Sequence, residues 1–537
     1  MEIKLFTVFL LFFALSGNAQ ERGDFGLYTD RDVYTSGETL LLKAFAPLNE
    51  QTGIVNIDLI NSKGKTITWI TLEIIDHQAN GYVYLPDSLS SGTYILRTAT
   101  RSSGTQTIKE LYVVNRFTGL TELNTILRPS GVIPVKALQI QTVQINGLKN
   151  LYKSRENGVA SVHFPDDLLG QIEGKVHVSI SKVTSEFNAG TFILNTKSAP
   201  GPIIEKGGII LEGVVTDIKT AKTFKNAVVT LSISDSLPVF KYYITGEDGR
   251  FYFQLKNYYG KIPVVIQCYD RLKNQPLKID LSDTERVRSG FPSFETLPCS
   301  GDMQKIFAQN IEAATIRKIF NQQEIKVLPV PPQKVDAFPF YGIPGDIVYP
   351  RLFIDLPDFN EISRELLPGV KFRTYNRIPT IQVLSASRHN YFNESPLVLL
   401  DGIPIQDLNI IKNLGSNKID RVEICPAERY FGDLSFAGVV AIYTTKANDS
   451  IIPESDDLVK FNLEAIQPQS ILNTPSDQSS TEPDLRQVLV WSPSINPGKT
   501  ISVEFQTSDI KGNYKLVIRG KTKDGTFFYN EQNIEVN

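Results

Sequence analysis

The sequence predicts a mainly β, multidomain protein, with serial β-sandwich domains plus one α+β domain. Short apolar stretches alternate with polar residues, and glycine, serine, asparagine and aspartate recur between them, which is typical of strands joined by tight turns. Clear helical spacing of apolar residues appears only after residue 300. At 537 residues, the chain is long enough for about three to five domains.

The first 19 residues have the features of a secretory signal peptide. Lys4 precedes an apolar run from Leu5 to Leu15, and small residues follow at Gly17 and Ala19, where signal peptidase requires small side chains. The run is too short to cross a hydrocarbon core of about 30 Å as a helix. We therefore expect cleavage after Ala19 and export of the mature chain to the periplasm, the outer membrane or the cell surface.

Composition and charge restrict the partners of the chain. The net charge of -3 provides no basic excess for nucleic acid or anionic lipid. No later run of about 18 apolar residues predicts a membrane-spanning helix. The three cysteines, Cys268, Cys299 and Cys425, allow at most one disulfide, so hydrophobic burial must stabilise each domain.

A local pattern occurs three times and predicts three related β-sandwich domains, at 20–115, 116–205 and 486–537. In each copy, a strand leads through a turn into a second strand of alternating residues. The copies lie at 84–96, 163–178 and 505–516. The third domain is short, and we expect it to take strands from its neighbours.

A fourth β-sandwich is predicted at 206–290. Its strands alternate apolar and polar residues, and the Asp248-Gly249 pair between two of them predicts a hairpin.

The rest of the chain combines helices, linkers and the α+β domain. Residues 291–350 contain a helical pattern at 303–322 and a proline-rich linker. The α+β domain is predicted at 351–450, and a linker rich in serine, proline and glutamine lies within 451–485. We expect these linkers to separate independently folding units.

The opening segment from Tyr28 to Thr39, with the sequence Tyr-Thr-Asp-Arg-Asp-Val-Tyr-Thr-Ser-Gly-Glu-Thr, resembles the first strand of the second domain of alpha-macroglobulins. Ser36 replaces the proline that the family usually has, and Gly37 still provides the positive φ that the turn requires. The resemblance implies a sandwich fold. The family's thioester joins a cysteine to a glutamine three residues later, whereas Cys425 is followed at that distance by Glu428, so covalent trapping of proteases is not implied.

The segment 206–290 resembles the carboxypeptidase regulatory-like β-sandwich that precedes many outer-membrane receptors of the Bacteroidota. The resemblance depends on Gly213, Val215, Asp217, Ala227 and residues 246–251. That domain is not catalytic in its family, so the resemblance implies a structural module.

The segment 351–450 is similar to the plug domain of TonB-dependent receptors. The similarity depends on the strand and Asp-Gly turn at 396–405, the strand at 419–424 and the glycine-started strand at 438–446. A receptor barrel of some 22 strands needs about 10 residues for each strand. Too few residues follow Lys446 for such a barrel, so we expect a plug-like domain without a pore of its own.

The whole combination resembles a family of uncharacterised Bacteroidota envelope proteins. These join a macroglobulin-like front, a regulatory sandwich and a barrel-less plug. The resemblance implies an envelope location and outer-membrane partners.

Enzyme motifs are poorly represented. His77, His163, His177 and His389 lack metal-ligand spacing, and no Gly-x-Ser-x-Gly elbow occurs. We therefore predict no catalytic, cofactor-binding or metal-binding residues and no cofactor. Cys425 is interpreted as a packing residue, and the Asp401-Gly402 pair as a turn that determines strand register.

Four aromatic residues interleaved with prolines have two possible roles. Phe338, Phe340, Tyr341 and Tyr349 either pack onto their own domain or form a docking strip for a partner.

The sequence favours a non-enzymatic interaction or scaffold protein that contacts envelope proteins through sheet edges or loops of the plug-like domain. One alternative is an accessory module that binds a peptide or glycan for a TonB-dependent transporter. An enzyme with a site assembled from distant carboxylates is another. A third alternative concerns the segment from Trp491 to Asn537, which could instead be a secretion-system sorting domain.

Overall fold

Alternating apolar residues and closely spaced turn residues fold most of this chain into short strands, and the predicted mainly β class is confirmed. The computed structural model describes residues 25–101, 105–118, 125–183, 189–195, 205–234, 238–272, 275–282, 291–330, 338–446, 451–473 and 481–537. The predicted signal peptide, residues 1–19, lies outside the described residues.

Up to residue 195, the elements are Gly26–Thr29 (β1), Val33–Thr35 (β2), Thr39–Phe45 (β3), Ile54–Asn61 (β4), Thr66–Glu73 (β5), Gln78–Tyr84 (β6), Gly92–Ala99 (β7), Thr105–Val114 (β8), Thr125–Ser130 (β9), Ile133–Pro134 (β10), Ala137–Gln139 (β11), Gln144–Asn146 (β12), Leu151–Tyr152 (β13), Asn157–His163 (β14), the helix Asp166–Leu169 (α1), Val176–Lys182 (β15) and Thr191–Asn195 (β16).

From residue 205 to residue 348, the elements are Ile209–Asp217 (β17), Ala227–Ile233 (β18), Val239–Ile244 (β19), Arg250–Leu255 (β20), Lys261–Asp270 (β21), Leu277–Leu281 (β22), Ser293–Pro298 (β23), the helix Gly301–Ile319 (α2), Ile325–Val327 (β24) and Asp346–Val348 (β25).

The remaining elements are the helix Phe359–Glu365 (α3), Val370–Tyr375 (β26), Ile378–Val383 (β27), Leu397–Leu400 (β28), Ile403–Pro404 (β29), the helix Asn409–Lys412 (α4), Ile419–Cys425 (β30), Arg429–Phe431 (β31), Leu434–Phe436 (β32), Val439–Thr444 (β33), Leu458–Glu464 (β34), Ser470–Leu472 (β35), Val488–Ile495 (β36), Thr500–Gln506 (β37), Gly512–Lys521 (β38) and Phe527–Val536 (β39). Single 3-10 turns occur at Pro350–Leu352 and Ser416–Lys418.

The chain forms two compact units that each combine distant segments. Unit 1 contains the described residues up to Ile209, those from 291 to Val330, and those from Ile466 onward. Unit 2 contains the described residues from Ile210 to 282 and from 338 to Ala465.

The first sandwich of unit 1 packs the sheet β1-β3-β6 against the sheet β10-β16-β8-β7-β4-β5. Leu40 and Leu42 of β3 meet Ile57 and Leu59 of β4 in its core, as the alternation along both strands requires. The strand β16 falls within the predicted segment 116–205 but pairs with β8 of the first sandwich.

The second sandwich of unit 1 joins two segments that are far apart in sequence. Its sheets have the orders β11-β39-β38-β15-β36 and β12-β14-β37, so strands of the predicted segments 116–205 and 486–537 alternate within them. The expectation that the C-terminal segment takes strands from a neighbour agrees with this pairing. Neither segment alone supplies both layers that a sandwich core needs.

The thrice-repeated pattern connects one sheet of a sandwich to the other. In each copy, the first strand (β6, β14 or β37) and the second strand (β7, β15 or β38) belong to different sheets. Two copies contain a tyrosine corner: the Tyr94 hydroxyl donates to the Ser90 carbonyl at 2.9 Å, and the Tyr514 hydroxyl donates to the Ile510 carbonyl at 3.0 Å. The pattern therefore forms sandwich corners and not hairpins.

A buried ionic cluster connects α2 to the opening segment, Tyr28 to Thr39. Glu38 accepts a hydrogen bond from the Thr35 backbone at 2.8 Å and pairs with Arg317 of α2, which also pairs with Glu324. Arg31 lies 3.5 Å from Glu38. The opening segment therefore anchors a helix as well as making a turn.

The sandwich of unit 2 consists of the sheets β20-β17-β22 and β19-β18-β21-β34. The predicted hairpin at Asp248-Gly249 is wrong. Gly249 does adopt a positive φ of 66°, but β19 pairs with β18 whereas β20 pairs with β17. The turn therefore connects the two sheets of the sandwich, with β19 in one sheet and β20 in the other.

The α+β domain of unit 2 is a sheet of order β25-β30-β33-β28-β29 that packs with α3 and α4. Asp401 and Gly402 have φ values of 48° and 83° and close the β28–β29 hairpin. The Asp401 carboxylate accepts hydrogen bonds from the backbone and hydroxyl of Thr444, each at 2.7 Å. The interpretation of this pair as a register-setting turn is confirmed.

Both predicted linkers contribute paired strands, and the boundaries between the two compact units, after Val330 and after Ala465, lie within the predicted segments 291–350 and 451–485. β25 of the proline-rich segment pairs with β30. β35 of the C-terminal linker pairs with β24. Backbone hydrogen bonds to these distant partners order residues whose local composition alone favours an irregular chain.

Candidate interaction surface

The four predicted contact residues divide between core and surface. The Tyr341 side chain is buried, and its hydroxyl lies 2.7 Å from both the Glu423 carboxylate and the Tyr443 hydroxyl. The Phe340 ring stacks on the Phe240 ring with centroids 5.0 Å apart. Phe338 and Tyr349 are exposed. The self-packing alternative therefore describes Phe340 and Tyr341, and docking remains a prediction for the other two.

The strand β25 forms an edge of the sheet in the α+β domain. It pairs with β30 in the register Asp346 to Ile424 and Val348 to Val422, and no other described strand covers its second side. The Gly345 backbone donates to the Ile424 carbonyl at 2.8 Å and positions the strand. An edge strand of this kind offers unpaired backbone groups to an added strand.

Large apolar side chains extend from this edge into solvent. They form what we call the edge-strand surface, which consists of Ile347, Tyr349, Leu352, Phe353 and Ile354. Leu352, Phe353 and Ile354 are 73%, 60% and 68% exposed. Contiguous exposed apolar residues of this size are uncommon on monomeric proteins and are typical of binding sites.

The segment that carries these side chains is held in place by polar contacts on either side of them. Arg351 lies 2.8 Å from the Asp420 carboxylate, and the Leu356 backbone donates to the Ser416 hydroxyl at 2.9 Å. Pro350 starts a 3-10 turn that gives the chain a defined path. The apolar side chains are thus presented by an ordered backbone.

A cavity of about 660 Å³ lies beside the edge strand. Its wall consists of Ile347–Tyr349, Leu352, Phe353 and the stretch from Arg364 to Pro368 at the end of α3. Arg364 and Glu365 pair with each other at 2.7 Å, which leaves the wall without a net charge. The cavity suits an apolar side chain of a bound segment.

Sequence reasoning identified Tyr349 but missed Ile347, Leu352, Phe353 and Ile354. The available signal was the apolar run 352–354 between Arg351 and Asp355, which has neither strand alternation nor helical spacing. Whether such a run is buried depends on what covers it, and the sequence does not contain that information.

Residue types that carry catalysis are dispersed in the part of the chain that the structure describes. No group of three histidine, cysteine, aspartate or glutamate side chains could hold a metal ion there. Cys268, Cys299 and Cys425 are unpaired, and burial raises the pKa of each thiol. Of the histidines, His177 is buried while His163 contacts Thr500 at 3.2 Å.

No described helix combines the length and apolar character needed to cross a membrane.

Comparisons with solved structures find distant structural neighbours. No protein-family model matches the sequence, and no curated protein matches it. A Salmonella alpha-2-macroglobulin reacted with methylamine is similar with 10% identity, a TM-score of 0.23, and coverage of 96% of this chain and 39% of the other. A trypsin-activated alpha-2-macroglobulin from Escherichia coli has 9% identity, a TM-score of 0.23, and coverage of 95% and 41%.

A third neighbour is dimeric latent PorU from Porphyromonas gingivalis, with 10% identity, a TM-score of 0.15, and coverage of 49% of this chain and 32% of the other. The chain spans about two fifths of the length of the macroglobulins it matches.

Proposed function

We propose that this chain is a non-enzymatic interaction or scaffold protein of the Gram-negative envelope, which binds a protein of an outer-membrane complex through the edge-strand surface. The occupant is an extended segment of that partner, with apolar side chains at alternate positions. It adds a strand to β25 and inserts a side chain into the neighbouring cavity.

The observation that carries this proposal is the combination of an unpaired edge and exposed apolar side chains on one ordered segment. Soluble proteins usually protect an edge strand with charge, proline or a covering loop. Ile347 at the centre of β25 is 48% exposed, and the apolar residues after Tyr349 extend the same surface. Burying them against a partner removes apolar area from water, which stabilises the complex by roughly 25 cal/mol for each Å².

Site-specific photo-crosslinking in cells tests the contact. A photoreactive amino acid at Leu352 should give one discrete adduct with an envelope protein, whose crosslinked peptide is an extended apolar segment. The same group at Leu272, which is 76% exposed and lies in the other domain of unit 2, is the matched control. Equal adducts at both positions, or a partner peptide that is charged or helical, would contradict the proposed contact.

The alternative of an accessory ligand-binding module is favoured by one observation, the apolar cavity of about 660 Å³. A cavity of this size accommodates a short peptide. Calorimetry with peptide and glycan pools should give saturable heat that Phe353→Ser abolishes. A scaffold would give no saturable heat. Hydrolase profiling of the purified mature chain tests the non-enzymatic part of the proposal, which turnover would refute.

A further inference from the structure

The two sandwiches of unit 1 pack against each other through the outward faces of their sheets. The alternation of apolar and polar residues along these strands predicts that such faces are exposed to solvent. On β3, Leu40 and Leu42 point into the first core, so Lys43 points outward, yet it is fully buried. On β15, Val176 and Val178 point into the second core, so His177 points outward, and it is fully buried as well. The outward faces of the two sheets therefore cover each other.

Both apolar and polar contacts hold this joint. Leu41 of β3 packs with Val488 and Trp491 of β36. The Lys43 amine donates to the Gln78 side chain at 2.6 Å and to the Ser494 hydroxyl at 3.3 Å.

Two further hydrogen bonds connect the two sandwiches next to Lys43. The Gln78 amide donates to the Lys175 carbonyl at 2.6 Å. The Lys521 amine donates to the Ala46 carbonyl at 2.6 Å.

The charges at the joint are unbalanced. His177 is the register partner of Arg519 on β38, its ring lies 4.4 Å from that of Trp491, and Lys43 faces it from β3. Neither ring nitrogen of His177 has a hydrogen-bond partner among the described residues.

The surrounding titratable groups do not neutralise these cations. Arg519 stacks on the Tyr28 ring at 4.9 Å, and burial lowers its pKa while the charges of Asp32 and Glu531 act to raise it. Burial lowers the pKa of Lys521 and of Lys43 too; the charge of Glu173 opposes this shift at Lys521, whereas that of Lys175 adds to it at Lys43. Asp32 and Glu531 pair instead with Lys109 and Lys515. A proton on His177 would add a cation to a buried site that already faces Lys43 and Arg519.

We propose that this packing is a pH-sensitive joint, which is closed while His177 is neutral and opens when His177 takes up a proton. Burial first, then Arg519 and Lys43, hold the pKa of His177 well below 6.5, whereas an opened joint returns it to its ordinary value. Opening therefore takes up a proton as the pH falls below about 6.5. The ratio of open to closed forms rises up to tenfold for each pH unit.

The tryptophan beside His177 provides the measurement. The chain has two tryptophans, and Trp69 is exposed, so full-length Trp69→Phe leaves Trp491 as the reporter. Between pH 8 and pH 5, acrylamide quenching of Trp491 should rise severalfold and its emission should shift to the red, while the far-ultraviolet circular dichroism stays constant. Loss of the circular dichroism in the same transition would show acid unfolding and overturn the proposal.

Two variants in that background separate the joint from other acid effects. His177→Phe should remove the part of the transition below about pH 6.5, because Lys43, whose pKa burial lowers to about 7, takes up its proton at higher pH. His163→Gln, which changes a histidine outside the joint, should keep the whole transition. Should His177→Phe not fold, Lys43→Met replaces it, because removing the facing cation should move the midpoint to lower pH. A transition that neither substitution shifts, or quenching that is constant from pH 8 to pH 5, would refute the joint.

Discussion

Substituting Glu38 by glutamine should loosen α2 from the first sandwich and destabilise unit 1. The Glu38 carboxylate lies between two buried guanidinium groups, those of Arg31 and Arg317, and accepts a further hydrogen bond from the Thr35 backbone. Glutamine has nearly the same shape but no charge, so both arginines would keep their burial and lose their shared counter-ion.

The size of the effect follows from the cost of an unpaired buried charge. Removing one partner of a buried ion pair costs about 3–5 kcal/mol. Glu324 still pairs with Arg317, and Asp30 still lies 3.1 Å from Arg31, which places the expectation at the lower end, at about 3 kcal/mol. Unit 1 is larger than 250 residues, so each kcal/mol lowers its melting temperature by roughly 1.6 °C, and the unit 1 transition should fall by about 5 °C.

Differential scanning calorimetry at pH 7 measures this shift, with Glu247→Gln as the matched control. Glu247 pairs with Lys225 on an exposed surface, and such pairs contribute about 0–1 kcal/mol. The pH dependence provides a second check. Burial alone would raise the pKa of Glu38, but Arg31 and Arg317 outweigh it and hold that pKa below its ordinary value. The stabilisation is present above that ordinary value and is lost as the pH falls below it, so parent and variant should converge in acid. A Glu38→Gln melting temperature within 2 °C of the parent would refute the reasoning.

Three further predictions concern other buried groups. Tyr341→Phe removes the hydroxyl that contacts Glu423 and Tyr443, and should lower the stability of unit 2 by about 1–3 kcal/mol in calorimetry, whereas the exposed Tyr430→Phe should change it by less than about 0.5 kcal/mol; equal effects would argue against the core role of Tyr341. Gly402→Ala places a Cβ 2.5 Å from the Pro238 Cβ at a φ of 83°. The free energy of unfolding measured with denaturant should fall by more than about 1 kcal/mol, and an unchanged unfolding midpoint would contradict this strain. Burial lowers the pKa of Lys43 to about 7, so the folded protein loses stability as the pH falls from 10.5 toward 7. Lys43→Met should therefore raise the melting temperature at pH 7 and have a much smaller effect near pH 10.5. An equal shift at both pH values would contradict the lowered pKa as the cause.

The local patterns that sequence reasoning identified are those in which neighbouring residues determine the conformation. The helix predicted at 303–322 is found at Gly301–Ile319, where Ser300 caps it by accepting from the Met303 backbone at 3.2 Å. The Asp401-Gly402 turn is similarly local, because its positive φ values suit those two residues.

The candidate surface was only partly predictable. The proline and aromatic segment marked the correct region, and Tyr349 lies on the edge-strand surface. Tyr341 could not be told from Tyr349 by its neighbours in sequence, since its burial depends on Glu423 and Tyr443, which are about a hundred residues away.

The sequence by itself determined the mainly β class and local features such as the helix α2 and the Asp401-Gly402 turn. Only the tertiary structure decided which strands share a sheet, so that β38 completes a sandwich begun at β14 and β15, and β25 becomes an uncovered edge. It also decided that the outward residues Lys43 and His177 are buried. The physical reason is that alternation along a strand shows which side chains share a face, whereas the backbone partners and the layer that covers each face come from distant segments.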